Sequence, residues 1–154
     1  MGGGTIVCGV SETPAGRAAA DLASALGARL GLRLVLVSVL DGVPAGARDS
    51  LTARQRQSGA ERLLGEIARG FGGGTETRVV HGQRAEALAQ VAAEEGADVI
   101  VVGSRPAGMG SRKLRSTLAR QLEAVTPVPV LVAPPSTRTR SERRLAVAVE
   151  ANGR

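Results

Sequence analysis

Short β-branched runs alternate along this chain with longer stretches in which apolar residues recur three and four positions apart, and that change of period is its main structural signal. The runs predict strands at Thr5 to Val10, Arg33 to Val39, Thr77 to His81, Asp98 to Val102 and Pro129 to Ala133. Between them lie four stripes with helical spacing. These are Leu22, Ala23, Leu26 and Leu30; Leu63, Leu64, Ile67 and Phe71; Ala85, Leu88, Ala89 and Ala92; and Leu114, Leu118, Leu122 and Val125. Runs such as VIVV and LVLVSV are apolar on both faces, as in a parallel sheet covered by helices on each side. The order β-α-β-α-β-α-β-α-β therefore predicts a doubly wound α/β domain.

Breakers support these boundaries. Gly31, Gly72 to Gly74 and Gly96 are expected to end the first three helices, and Pro127 with Pro129 to part the fourth helix from the last strand. One connection, from Asp41 to about Arg54, reads as unusually long, polar and mobile, and could border a site. Glu94 and Glu95 close the third helix and are expected to face water. The domain is expected to span residues 1–135. Residues 136–154 then form a basic tail, either disordered or adding a short element through Leu145 to Val149.

Composition narrows the functions open to such a domain. With 154 residues the chain holds one core of this kind. Phe71 is its only aromatic residue, which argues against single-strand nucleic-acid modules and aromatic cages, both of which need flat rings. One cysteine, Cys8, and one histidine, His81, exclude a disulfide framework and a four-ligand zinc site of Cys and His. Cys8, within an apolar central run, is expected to be buried and inert. His81 lacks the companions of a catalytic base. No apolar run approaches a membrane span and no export signal is recognisable, so a cytoplasmic, reducing location is expected. The net charge of +6 comes from 19 Arg and one Lys against 14 acids. Five Arg and two Glu place +3 of it in residues 136–154, so a polyanion or nucleic-acid interaction through the Arg-rich loop and tail stays open.

Ligands of open α/β sheets bind at the carboxyl ends of the strands, near the point where the strand order reverses. The segment after the fourth predicted strand, GSRPAGMGSRKLRST from Gly103 to Thr117, is the richest there. Glycines let backbone N–H groups approach an anion, and Arg105, Arg112, Lys113 and Arg115 add charge, so phosphate is the expected guest. Two familiar phosphate motifs fail. Gly103 and Gly108 have the Walker A spacing, but Met109 and Gly110 stand at its Lys and Ser/Thr positions. The dinucleotide fingerprint lacks its third glycine, where Lys113 stands, and belongs after a first strand.

From about Thr5 to Ala133 the chain resembles the universal stress protein family, through TIVCGV, HGQRAEALAQVAAEEGADVIVVGSR and VTPVPVLVAP. The resemblance implies a five-stranded sheet in the order 3-2-1-4-5, of the adenine nucleotide alpha hydrolase-like kind. It also implies a homodimer paired through the last strand (Val130, Leu131, Val132) and a cytoplasmic role in stress survival without a defined enzymatic substrate. Some members bind ATP, with Mg2+, through G-x-x-G, nine residues, then G-[ST]. Here Gly103 and Thr117 keep the first and last positions, while Pro106 and Ser116 replace two glycines. Pro106 has no N–H to donate, and Ser116 resists a positive φ. Ser11 stands where nucleotide-binding relatives carry Asp, and offers a ribose a hydroxyl but no charge. Val39 matches the position whose backbone meets adenine. The implied nucleotide site is Ser11, Val39, Gly103, Ser104, Arg105, Gly108, Ser116 and Thr117. Two readings follow: a stress-response protein working through partner or ligand binding with a weakened pocket, or an ATP-binding member with little or no hydrolysis.

Overall fold

A computed structural model describes residues 3–71, 74–104 and 117–134 of the chain. The strands are β1 (Thr5–Gly9), β2 (Arg33–Leu40), β3 (Thr75–His81), β4 (Val99–Gly103) and β5 (Val130–Ala133). The helices are α1 (Pro14–Leu30), α2 (Leu51–Arg69), α3 (Arg84–Glu95) and α4 (Thr117–Val125). All strands are parallel and lie in the order β3-β2-β1-β4-β5, as the resemblance implied.

Alternation along each strand divides the core in two. Ile6, Cys8, Leu34, Leu36 and Val101 face one way and meet Ala19 and Ala23 of α1 and Leu63, Leu64 and Ile67 of α2. Val7, Val35, Val37, Ile100 and Val102 face the other way and meet Leu88 and Val91 of α3 and Leu122 of α4. Phe71 packs at the margin of the first layer. This is why the central strands read as apolar throughout.

Local chemistry sets the helix ends. Thr13 caps α1 by accepting from the Gly16 amide at 3.1 Å, with Pro14 in the first turn, where no intrahelical N–H is needed. Gly31 and Gly96 end α1 and α3 with φ of 65° and 61°, a left-handed backbone that glycine adopts without strain.

Several expectations are corrected. β3 begins at Thr75 rather than Thr77, because an edge strand with exposed Glu76 and Thr77 carries little apolar signal. α2 ends at Arg69 with Gly70 as its cap, ahead of Gly72. The connection after β2 is shorter than expected: a 3-10 turn occupies Ala45–Ala47, and Ser50 caps α2 by accepting from the Ala53 amide. Leu30 and Val125 fall off their stripes, 64% and 49% exposed. Glu94 is exposed as expected and Glu95 is not, and both are ion-paired. Glu95, only 18% exposed at its side chain, joins Arg33 to Arg78, while Glu94 meets Arg78 at 2.8 Å. The 136–154 tail lies outside the described residues.

Candidate functional site

Three segments converge at the carboxyl ends of the central strands: the β1–α1 turn, the end of β2 and the end of β4. The turn is fixed by close packing. A Cβ on Gly16 would come within 3.0 Å of the Ser11 amide, carbonyl and hydroxyl, and one on Gly103 would meet the Ala15 carbonyl as closely. Ser11, Gly16, Ala15 and Gly103 thus form one continuous backbone contact that ties the start of α1 to the end of β4. The positive end of the 17-residue α1 dipole lies there. Ser11 Oγ lies 2.8 Å from Thr13 Oγ1.

Unequal strand lengths make the second feature. The β1–β2 ladder ends at Gly9 with Val37, while β2 continues to Leu40. The Val37 carbonyl accepts from the Val10 amide at 2.9 Å, so Val37 faces β1. Two residues on, Val39 turns its peptide edge the same way, past the last β1 pair. Leu40 faces β3, where its carbonyl accepts from the Gly82 amide. Val39 therefore turns one N–H and one C=O toward the site, with no strand partner for them among the described residues, while its side chain packs on the α3–α4 layer.

Ser104 is the third. It follows β4, is 3% exposed, and buries its Oγ with no hydrogen-bond partner among the described residues. A buried unpaired hydroxyl is unusual enough to require a reason, and a ligand is one.

Of the residues implied by the resemblance, the structure brings Ser11, Val39, Gly103 and Ser104 to this end of the sheet. Arg105, Gly108 and Ser116 lie outside the described residues, as does the side chain of Thr117, the first residue of α4. Gly16 and Ala15 were not singled out from sequence. The Thr-Pro pair that starts α1 was the available signal. His81 ends β3, away from Ser11 and Gly103, and its buried Nδ1 has no partner among the described residues.

Cys8 is fully buried in β1, and burial pushes its thiol well up from the ordinary range, which removes it as a nucleophile at neutral pH. The described residues contain no group of three His, Cys, Asp or Glu side chains able to hold a metal ion. No described helix is long and apolar enough to cross a membrane.

Residues 4–134 match the model of the universal stress protein family. A search of curated proteins found no match. Among solved structures, a universal stress protein family member from Burkholderia pseudomallei is 27% identical, with a TM-score of 0.66 over 86% of this chain and 96% of its own. A universal stress protein from Archaeoglobus fulgidus, solved in complex with dAMP, is 19% identical, with a TM-score of 0.64 over 86% and 98% of the two chains. Another, solved in complex with cAMP, is 20% identical, with a TM-score of 0.64 over 88% and 100%. A family match across the whole sheet and its helices places this protein: it belongs to the universal stress protein family.

Proposed function

We propose that the site at the carboxyl ends of β1, β2 and β4 binds an adenine nucleotide, and that the protein serves a cytoplasmic stress response by binding rather than by turnover. The Val39 peptide carries the proposal. It offers a donor and an acceptor side by side, complementary to the ring nitrogen and exocyclic amine of adenine. The Ser11 hydroxyl suits a ribose, and the Ser104 hydroxyl, without a partner among the described residues, has capacity for a ligand oxygen. Structures of family members with cAMP and dAMP support the ligand class.

Arg105, Gly108, Ser116 and Thr117 belong to the proposed phosphate segment. Pro106 and Ser116 take two backbone advantages from it, so we expect weaker phosphate binding than an intact motif supplies. Mg2+, if ATP is the guest, would be held by its phosphates, where it neutralises their charge.

Calorimetric titration of the full chain with AMP, cAMP and Mg-ATP tests this reading. Saturable binding of AMP is expected, with little further gain from the added phosphates of ATP. Micromolar Mg-ATP binding, weakened by Thr117→Ala, would overturn the weakened pocket. Failure of all three ligands at about 5 mM would overturn the adenine reading.

The last strand supports a homodimer. β5 is an edge strand, and Leu131 and Val132 stand 43% and 39% exposed on it, beside half-buried Val130. An apolar edge with no strand partner among the described residues is a ready surface for a second copy. Light scattering at tens of micromolar is expected to give twice the mass of the 15.6 kDa chain, and a monomer would overturn the pairing.

A further inference from the structure

A second ligand site is suggested by a cleft on the outer edge of the sheet. A cavity of about 290 Å³ lies between β3 and α3, with Arg48 from the β2–α2 connection at its side. That is near the lower end of the range for small-molecule pockets. None of Ser11, Val39, Gly103 and Ser104 lines it. It lies one strand outward from Val39, whose register partner Val80 is in its wall.

The charges in the cleft are unequally engaged. Arg78 is held by Glu94 at 2.8 Å and Glu95 at 3.2 Å, and Glu94 also accepts from the Gln90 amide at 3.2 Å. Arg48 also lines the cleft but makes no ion pair among the described residues. Its guanidinium is the uncommitted charge. The His81 ring lines the same cleft and buries Nδ1 without a partner among the described residues. Either nitrogen of an imidazole can carry an N–H, so the ring has a donor to offer. Arg48 and His81 thus supply donors for an anion. Glu94, with lone pairs left after its two bonds, supplies an acceptor for a hydroxyl.

We propose that this cleft binds a small organic anion, a phosphate or carboxylate on a short hydroxylated chain, with the anion toward Arg48 and His81 and a hydroxyl toward Glu94. The proposal is independent of nucleotide binding at the carboxyl-end site.

His81 is the only histidine in the chain, so its imidazole resonances report the cleft without assignment. The full chain, at fixed pH, is titrated with glycerol 3-phosphate, inorganic phosphate and glycerol. Glycerol 3-phosphate is expected to move the His81 signals saturably. Inorganic phosphate, with no carbon-borne hydroxyl, is expected to bind about fivefold more weakly, and glycerol not at all. Arg48→Gln is expected to weaken glycerol 3-phosphate binding about tenfold or more. Arg48 has no ion pair to lose among the described residues, so the variant is expected to keep the fold, and an unchanged melting temperature checks this. No saturation by about 10 mM, equal binding of both phosphates, or indifference to Arg48→Gln would overturn the proposal. So would displacement by saturating AMP, which would make the cleft part of the nucleotide site.

Discussion

Ser104→Ala separates a structural hydroxyl from a ligand-binding one. Ser104 Oγ is buried and has no hydrogen-bond partner among the described residues, whereas in the unfolded chain it is hydrated. Leaving such a group unsatisfied costs about 1–3 kcal/mol. Removing one oxygen from a residue 3% exposed also forfeits a few dispersion contacts, so the net gain is about 1 kcal/mol. For a chain of this size that raises the melting temperature by roughly 2–4 °C. Thermal and urea unfolding of both proteins, without ligand, give the first readout. AMP at about a hundredfold over its Kd stabilises the wild type by about 2.7 kcal/mol, and at that same concentration the variant should gain less. The two effects have opposite signs, which a merely structural hydroxyl would not produce. A variant destabilised by more than about 0.5 kcal/mol would show that Ser104 is already satisfied without ligand, and the reasoning would fail.

Two glycines in helices should respond oppositely to alanine. Gly16→Ala forces a Cβ onto the Ser11 backbone and is expected to cost about 1–3 kcal/mol and to weaken AMP binding, whereas Gly59→Ala in α2 meets open space and should stabilise by up to about 1 kcal/mol. Urea midpoints of the two variants check both signs. The hydrogen bond from Arg78, then that from Gln90, holds the Glu94 carboxyl below its ordinary range. Its contribution is therefore present above the unfolded value and lost as pH falls through the folded one. Wild type should lose more stability than Glu94→Gln between about pH 5 and pH 3, and parallel curves would count against the pairing. Cys8 should resist alkylation at pH 8 in the native state and react only on unfolding. Rapid native labelling would contradict its burial in β1.

The architecture was legible because the central strands are buried on both faces, and VIVV or LVLVSV can hardly be anything else. Legibility fell where burial fell. The first residues of β3 were missed because Glu76 and Thr77 point to solvent on an edge strand. Periodicity counts Leu30 inward even though the last turn of α1 leaves it 64% exposed. The ion pairs of Glu94 and Glu95 join α3 to β2 and β3, and partners 16 to 62 residues away leave no local mark. The site divides in the same way. The resemblance pointed to Ser11, Val39, Gly103 and Ser104, but not to the packing that brings them to one end of the sheet. The peptide edge of Val39 outruns the β1 ladder through a difference in strand length, and the need for glycine at Gly16 arises from packing against Ser11. Neither is a property of one segment.

In the proposed nucleotide site, that edge would also determine how a base is recognised. Phe71, the only aromatic residue, packs at the margin of the α1–α2 layer, so a base in the site has no ring to stack on. Discrimination must come from hydrogen bonds to a peptide. Adenine offers a donor at its exocyclic amine and an acceptor at the adjacent ring nitrogen. Guanine inverts both, with a carbonyl and a protonated nitrogen. To pair with Val39 guanine must turn over, which carries its ribose away from Ser11; in the adenine orientation it leaves the Val39 N–H and C=O facing like groups. An unpaired buried pair of this kind costs about 1–3 kcal/mol, or about a tenfold to hundredfold preference for AMP over GMP in parallel calorimetric titrations. Uracil shares guanine's inverted pattern and should be rejected too. Equal affinity for AMP and GMP would mean that phosphate contacts alone hold the nucleotide, and the role assigned to Val39 would be wrong.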